Sequence, residues 1–327
     1  MIKKVLILSN SSIPLDRQLS NHNFLIKDIL FTINSNSDYD YIVVIDDIPN
    51  DIKVNISKSK CILFTGEPPF VKLYPKKFRN QFGYIYTCQQ NLIKCKNTFL
   101  SNPPLPWMTG IKLLKGTHTT DLKYAYLNYN DFIKPSNQDR INKICLITSN
   151  KKLTKGHRQR VNFAIKLKEA LPDLIDIYGN GFTNMPDKFD VQSKYKYSIV
   201  IENCSYPDYW TEKLADTYLA GSYPIYYGAN NINNYFKETQ LSTINILNFN
   251  ESLQTIKRIV SEDLYSNRIN EIEDAKIMVL DKYNLFNMVT ECIEKHPKDE
   301  NSCRINELKQ IRYSIIERII QRIMRLL

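Results

Sequence analysis

Glycine is scarce in this chain. Only 9 occur in 327 residues, which excludes a collagen-like or glycine-linker architecture. Metal-binding spacing is also missing. The histidines at 22, 118, 157 and 296 are scattered, and no C-x-x-C pair occurs among the cysteines at 61, 88, 95, 145, 204, 292 and 303. That odd count, with cysteines inside apolar runs such as "KCILF" and "KICLI", reads as buried free thiols in a reducing cytosol. Long hydrophobic runs are absent as well. After "MIKK" only four apolar residues follow, too short for a signal peptide or a spanning helix, so the segment reads as a first buried strand. The one Asp-x-Asp, Asp38 to Asp40, precedes a strand rather than following one and reads as a solvated turn.

What is present describes a globular protein, 43% hydrophobic and 24% charged. Lys and Arg number 44 against 34 Asp and Glu, an excess of +10 that favours an anionic partner: nucleic acid, nucleotide phosphate or an acidic membrane. The length suggests two domains. Strand-like runs at 4–8, 41–45, 61–65 and 84–87 mark the first half. Between the first two, "NHNFLIKDILFTI" has helical spacing at Leu25, Ile29 and Ile33 and predicts a crossover helix. The polar stretch 127–142 reads as a linker. A second alternation follows: strands at 143–149, 174–179, 197–202 and 223–228, with helices over 158–171 and from Thr211 to Gly221. The predicted organisation is α/β, with domains 1–140 and 141–295 and a basic amphipathic tail, 296–327. In the tail, Leu308, Ile311, Ile315, Ile319, Ile323 and Leu327 recur at helical spacing beside Arg312, Arg318, Arg322 and Arg325. Such a helix suits an anionic membrane surface through 305–327, or packing on the body or on a second copy as a homodimer.

The chemistry concentrates in "IENCSYPDYWTEKLADTYLAG", Ile201 to Gly221. A strand ends in Glu202-Asn203, and a helix opens with Glu212 and Lys213 in its first turn. Ligands of open α/β sheets bind outside the carboxyl ends of strands, and a helix N-terminus offers free N–H groups to an anion. Lys213 adds a full charge there, and Glu212 can accept hydrogen bonds from a diol such as ribose. The plainer alternative has Asp208 capping the helix and Glu212 favouring its dipole.

Over Tyr197 to Phe236 the chain resembles the α1,3-fucosyltransferases, glycosyltransferase family 10. Glu202-Asn203, Asp208-Tyr209, Thr211-Glu212-Lys213, Pro224, Gly228 and Phe236 fall in the family's order. "LITSNKKLTKGHRQRVNFAIKL", with Arg160, resembles the family's strand–loop–helix segment, and "LFTGEPP" its acceptor-domain segment with Glu67 as the catalytic carboxylate. Cys204 and Trp210 depart from the pattern. The resemblance implies the GT-B arrangement, two Rossmann-like domains facing a cleft. It also implies inverting transfer of L-fucose from GDP-fucose to a glycan hydroxyl, as in a surface polysaccharide or lipopolysaccharide. Glu67 would be the general base, and Arg160, Asn203, Tyr209, Glu212 and Lys213 would hold the donor. No metal cofactor is implied, because Arg160 and Lys213 supply the charge. Another GDP- or dTDP-linked deoxysugar is the near alternative. A basic nucleic-acid-binding protein is the alternative from another class, disfavoured because no recognition motif is present, so nucleic acid is not an expected partner. The implied location is cytoplasmic, peripheral at the inner face of the membrane.

Overall fold

A computed structural model describes residues 2–10, 14–34, 37–104, 106–113, 120–136, 139–152, 154–296 and 303–326; His118 and Leu327 lie outside them. The chain forms two compact units, one from residues 1–105 with 283–327, the other from 106–282. The first unit therefore runs to 105 where sequence places a boundary at 140, and the chain returns to it at Tyr283.

The first unit is built on a seven-stranded sheet, in the order Leu25–Ile26, Ile29–Thr32, Lys3–Ser9, Tyr41–Ile45, Cys61–Phe64, Tyr84–Thr87, Thr98–Leu100. All neighbours pair in parallel except the first two strands. Continuous apolar runs fit such strands because both faces are covered. Val5, Ile7, Val43, Ile45, Ile62 and Phe64 pack with Leu285, Phe286, Val289 and Ile293 of the helix Leu285–Lys295. Their alternates Leu6, Ile42, Val44 and Leu63 pack with Phe78, Phe82 and Leu308.

The helix predicted within 21–33 is absent. A short 3₁₀ turn, Ser20–His22, leads into the hairpin of Leu25–Ile26 and Ile29–Thr32. Asn21, His22 and Lys27 all have positive φ, which an α-helix cannot contain. The decisive period is two: Ile29 and Phe31 are buried while Leu30 is exposed. Docking on Lys3–Leu6 overrode the three-and-four spacing.

The tail also departs from one continuous amphipathic helix. Arg304–Leu308 is a strand antiparallel to Ile52–Ser57, with Leu308 buried, and helix begins only at Ile315, running to Leu326. Ile315, Ile316, Ile319, Ile320 and Ile323 are 79, 70, 52, 41 and 53% exposed. The helix meets the body by its polar side. Gln321 Nε2 donates to the Val71 carbonyl at 3.1 Å, Arg325 Nε donates to the same oxygen at 3.3 Å, and Tyr313 Oη donates to the Leu73 carbonyl at 3.0 Å.

The second unit holds a five-stranded parallel sheet in the order Ile175–Tyr178, Ile141–Ile147, Tyr195–Ile201, Tyr223–Tyr227, Ser242–Thr243. The stretch 127–142 is not a free linker. Asn128 caps the short helix Tyr129–Phe132, and Phe132 packs edge-on to Trp107 at 5.8 Å. Arg140 is buried, donating to the Ala220 carbonyl at 2.7 Å. A few anchoring side chains, invisible to composition, tie this polar segment down. The first strand of this sheet in chain order, Ile141–Ile147, lies between its second and third, so the winding reverses there. Ligands of doubly wound sheets bind at such a reversal, here between Thr148-Ser149 and Glu202-Asn203.

Candidate functional site

Glu202 directly follows the strand Tyr195–Ile201 and is fully buried. Its carboxylate accepts from Thr211 N and Thr211 Oγ1, both at 2.8 Å, and pairs with Lys213 Nζ at 3.1 Å. Burial pushes the Glu202 carboxyl up, against the opposing pull of Lys213. Thr211 is in turn the N-cap of the helix Glu212–Leu219, its hydroxyl accepting from Lys213 N at 3.3 Å. One buried carboxylate thus fixes both the cap and the lysine. Gly228 makes room for it: a Cβ there would lie 2.6 Å from Glu202 Cγ and 2.1 Å from Tyr226 Oη. Asp208 is not the cap. Its side chain accepts from Asn231 Nδ2 at 2.7 Å and Tyr235 Oη at 2.8 Å. Trp210 is core, edge-on to Phe236 at 5.2 Å.

Arg160 comes from the helix Lys155–Ala170, capped by Thr154. That helix presses its first turn against the strand-end loop, since a Cβ on Gly156 would lie 1.9 Å from the Asn203 carbonyl oxygen. One turn on, Arg160 Nη1 donates to Asn203 Oδ1 at 2.9 Å and Nη2 to Ser149 Oγ at 3.5 Å. Both partners are neutral oxygens, so the guanidinium brings positive charge to the reversal point. His157, beside it, is held down at about 4 by burial and by Arg160, Lys151 and Lys213.

These groups surround a pocket of ≈160 Å³ lined by Arg160, Glu212 and Lys213, with Thr148, Ser149, Lys188, Gln192, Asp216 and Thr217. Lys188 Nζ pairs with Asp216 at 2.7 Å, and Asp216 also accepts from Met108 N and Thr109 N. Burial raises the Glu212 carboxyl, but Lys213 and Lys188 outweigh it and hold the group at about 2. It is therefore ionised at neutral pH and accepts hydrogen bonds only. Cations and helix N–H groups at the mouth suit phosphate; an acceptor carboxylate beside them suits hydroxyls. A wider hollow of ≈820 Å³ lies beside the edge strand Ile175–Tyr178, where Lys168 and Asp176 already pair at 3.6 Å.

Of the residues singled out in the sequence, Arg160, Glu212 and Lys213 line the pocket, and Asn203 joins them through Arg160. Tyr209 is buried and is not on the lining. Glu202, Thr211, Lys188, Thr148 and Gln192 carried no assigned role. The Glu202-to-Thr211 spacing was a usable signal; Lys188 and Gln192 lie in a segment without a motif.

Glu67 belongs to the other unit, three residues past the strand Cys61–Phe64. Its backbone is clamped. Gly66 N and Glu67 N donate to Tyr74 Oη at 2.9 and 3.2 Å, and Gln89 Nε2 donates to the Glu67 carbonyl at 2.9 Å. Tyr74 is bonded to Asp46, which pairs with Lys72 at 2.6 Å. Glu67 as a residue is half-buried.

Residues 137–268 match the family model for glycosyltransferase family 10 (fucosyltransferase), C-terminal part. A protein of Acanthamoeba polyphaga mimivirus, named provisionally as a fucosyltransferase, is 38% identical over 86 residues, 25% of this chain and 14% of that one. A fucosyltransferase-like protein of Arabidopsis thaliana is 36% identical over 80 residues, 23% of this chain and 16% of that one. The match thus spans about one-seventh of the length of these curated relatives. Among solved structures, an α-glucosyltransferase in complex with UDP and DNA aligns over 90% of this chain and 100% of its own, with TM-score 0.53 and 9% identity. That likeness supports the GT-B fold class. An α1,3-fucosyltransferase with GDP-fucose aligns over 82% of this chain and 81% of its own, with TM-score 0.47 and 18% identity. Together with the cap, lysine and arginine assembled at the sheet's reversal point, the matched segment means that the chain carries a domain of glycosyltransferase family 10, the fucosyltransferases, over residues 137–268.

Proposed function

We propose that this protein is an inverting glycosyltransferase that moves L-fucose from GDP-fucose to a hydroxyl of a glycan acceptor, as in a surface polysaccharide or lipopolysaccharide. The observation that carries the reading is the pair of cations Arg160 and Lys213, set beside the capped N-terminus of the helix Glu212–Leu219 at the reversal point of a family 10 domain. In this reading Arg160 and Lys213 neutralise the diphosphate, ionised Glu212 accepts from the ribose hydroxyls, and Asn203 orients Arg160. Tyr209, buried near Arg160, is counted among the donor-binding residues on the family resemblance. Glu67 takes the proton of the acceptor hydroxyl. The oxygen then attacks the anomeric carbon from the face opposite the diphosphate. As the new C–O bond forms, the bond to the β-phosphate breaks, its electron pair leaves with GDP, and the anomeric configuration inverts. Positive side chains and the helix N-terminus meet the developing charge, so the reaction needs no metal cofactor.

Release of GDP from GDP-fucose needs no acceptor and tests this directly. The wild-type chain should release GDP in preference to the nucleotides of UDP- or dTDP-linked sugars, with or without chelator. Glu67→Gln should turn over roughly a hundredfold more slowly with GDP affinity near wild type. Arg160→Ala and Lys213→Ala should each bind GDP about tenfold or more weakly by calorimetry. Preference for a dTDP-sugar would replace the donor, and GDP affinity unchanged in both cation variants would remove the phosphate site.

We further propose that the tail helix seats this enzyme on an anionic membrane surface. The exposed isoleucines and the excess of Arg318, Arg322 and Arg325 over Glu317 support this. Among the described residues no helix is long and apolar enough to cross a membrane.

A further inference from the structure

The pocket that Arg160, Glu212 and Lys213 line also carries polar groups that the reading above does not use. Three buried polar atoms there have no hydrogen-bond partner: Gln192 Oε1, Thr148 Oγ1 and Arg160 Nε. Their residues are 5, 7 and 6% exposed. Leaving such atoms unpaired is costly, and several gathered on one pocket point to a group that would pair with them.

The bonding of Gln192 says what kind of group is wanted. Thr217 Oγ1 has one proton and donates it to the Lys213 carbonyl at 2.9 Å. Toward Gln192 it can then only accept, and it does so from Nε2 at 2.9 Å. That bond fixes the orientation of the amide and leaves Oε1 presented as an acceptor. The occupant must supply an N–H or O–H to it. Thr148, on the same pocket, can donate or accept.

A nucleotide sugar offers two candidates, sugar and base. The sugar carries the carbon that a second substrate must reach, so groups as deeply buried as Gln192 and Thr148 suit it poorly. The base does not react. We propose, resting on the donor-site reading above, that Gln192 and Thr148 determine base specificity by reading the edge of guanine. The ring N–H and exocyclic amine of guanine donate to Gln192 Oε1, and Thr148 donates to its carbonyl oxygen. Adenine would turn a ring nitrogen acceptor toward Oε1, placing two acceptors face to face.

Calorimetry of the full chain with GDP and ADP tests this. Wild type should prefer GDP. Gln192→Leu should weaken GDP about tenfold and shrink the GDP-to-ADP preference by a similar factor, and Thr148→Val should do the same to a smaller extent. Should Gln192→Leu lose its native circular dichroism, the near-isosteric Thr148→Val carries the test alone. A wild type that binds neither nucleotide overturns the donor site itself. A wild type that binds GDP, with the same preference in the folded variants, overturns only the base assignment. So does a variant that weakens GDP-fucose while leaving GDP untouched, which would give these groups to the sugar.

Discussion

His157 illustrates how closely charge is packed at a single position. It is the third residue of its helix, and its ring completes a capping box with Thr154, which the residue's position would lead one to expect of Glu or Gln. Burial and the nearby cations hold it at about 4, against an ordinary 6.5. The native chain therefore resists the proton that the unfolded chain takes up near 6.5. Stability is full above that value and falls as pH drops from 6.5 toward 4, by on the order of 3 kcal/mol at most. His157→Gln keeps a capping side chain and removes the titration. Urea midpoints at about pH 7.5 and pH 5 should differ more for wild type than for the variant, and equal differences would reject the assignment. At this scale much was legible. Glu212 and Lys213 were readable because a strand end, a cap and a charge follow one another locally, whereas Arg160 was found through the family resemblance alone. Glu202 acts through a buried bond to a residue nine positions on, and Gln192 through Thr217, 25 positions away, so neither role could be read from its own neighbourhood.

Among the elements, the tail helix inverts the usual rule by turning its isoleucines outward and its glutamine inward. At 12 residues it is about 18 Å long, too short to span a bilayer but suited to lying in an interface. A second copy would bring like charge onto like charge, whereas anionic lipid gains roughly 1 kcal/mol per basic residue near its surface. Deleting 315–326 should abolish sedimentation with phosphatidylserine-containing vesicles, which in the intact chain should weaken with salt. If the deletion instead halves the solution mass and leaves sedimentation unchanged, the face belongs to a homodimer. The hairpin that replaced the expected helix near residue 25 carries the complementary lesson. Spacing of three and four also occurs by chance in strands, and sheet docking chose between them.

The molecule as a whole closes its first unit with residues from the far end of the chain. Leu285, Phe286, Val289 and Ile293 cover one face of the first sheet, and Leu308 lies on the other. Burial of such side chains is worth roughly 1.5–3 kcal/mol each, so together they come to about 10 kcal/mol, comparable with the net stability of a domain. A chain ending at Lys282 should therefore keep the cooperative thermal transition of its second unit and lose that of the first. Two full transitions by calorimetry would contradict this.

The sequence by itself determined the α/β class, four adjacent strands in each of the two large sheets, and the helix opening at Glu212. Each rests on periodicity, capping or spacing within about forty residues. Only the tertiary structure decided that the chain returns at Tyr283 to complete the first unit, that the tail splits into strand and helix with its isoleucines outward, and that Gln192 and Thr148 line one pocket. Those outcomes depend on which distant surfaces bury each other, and local pattern carries no record of that.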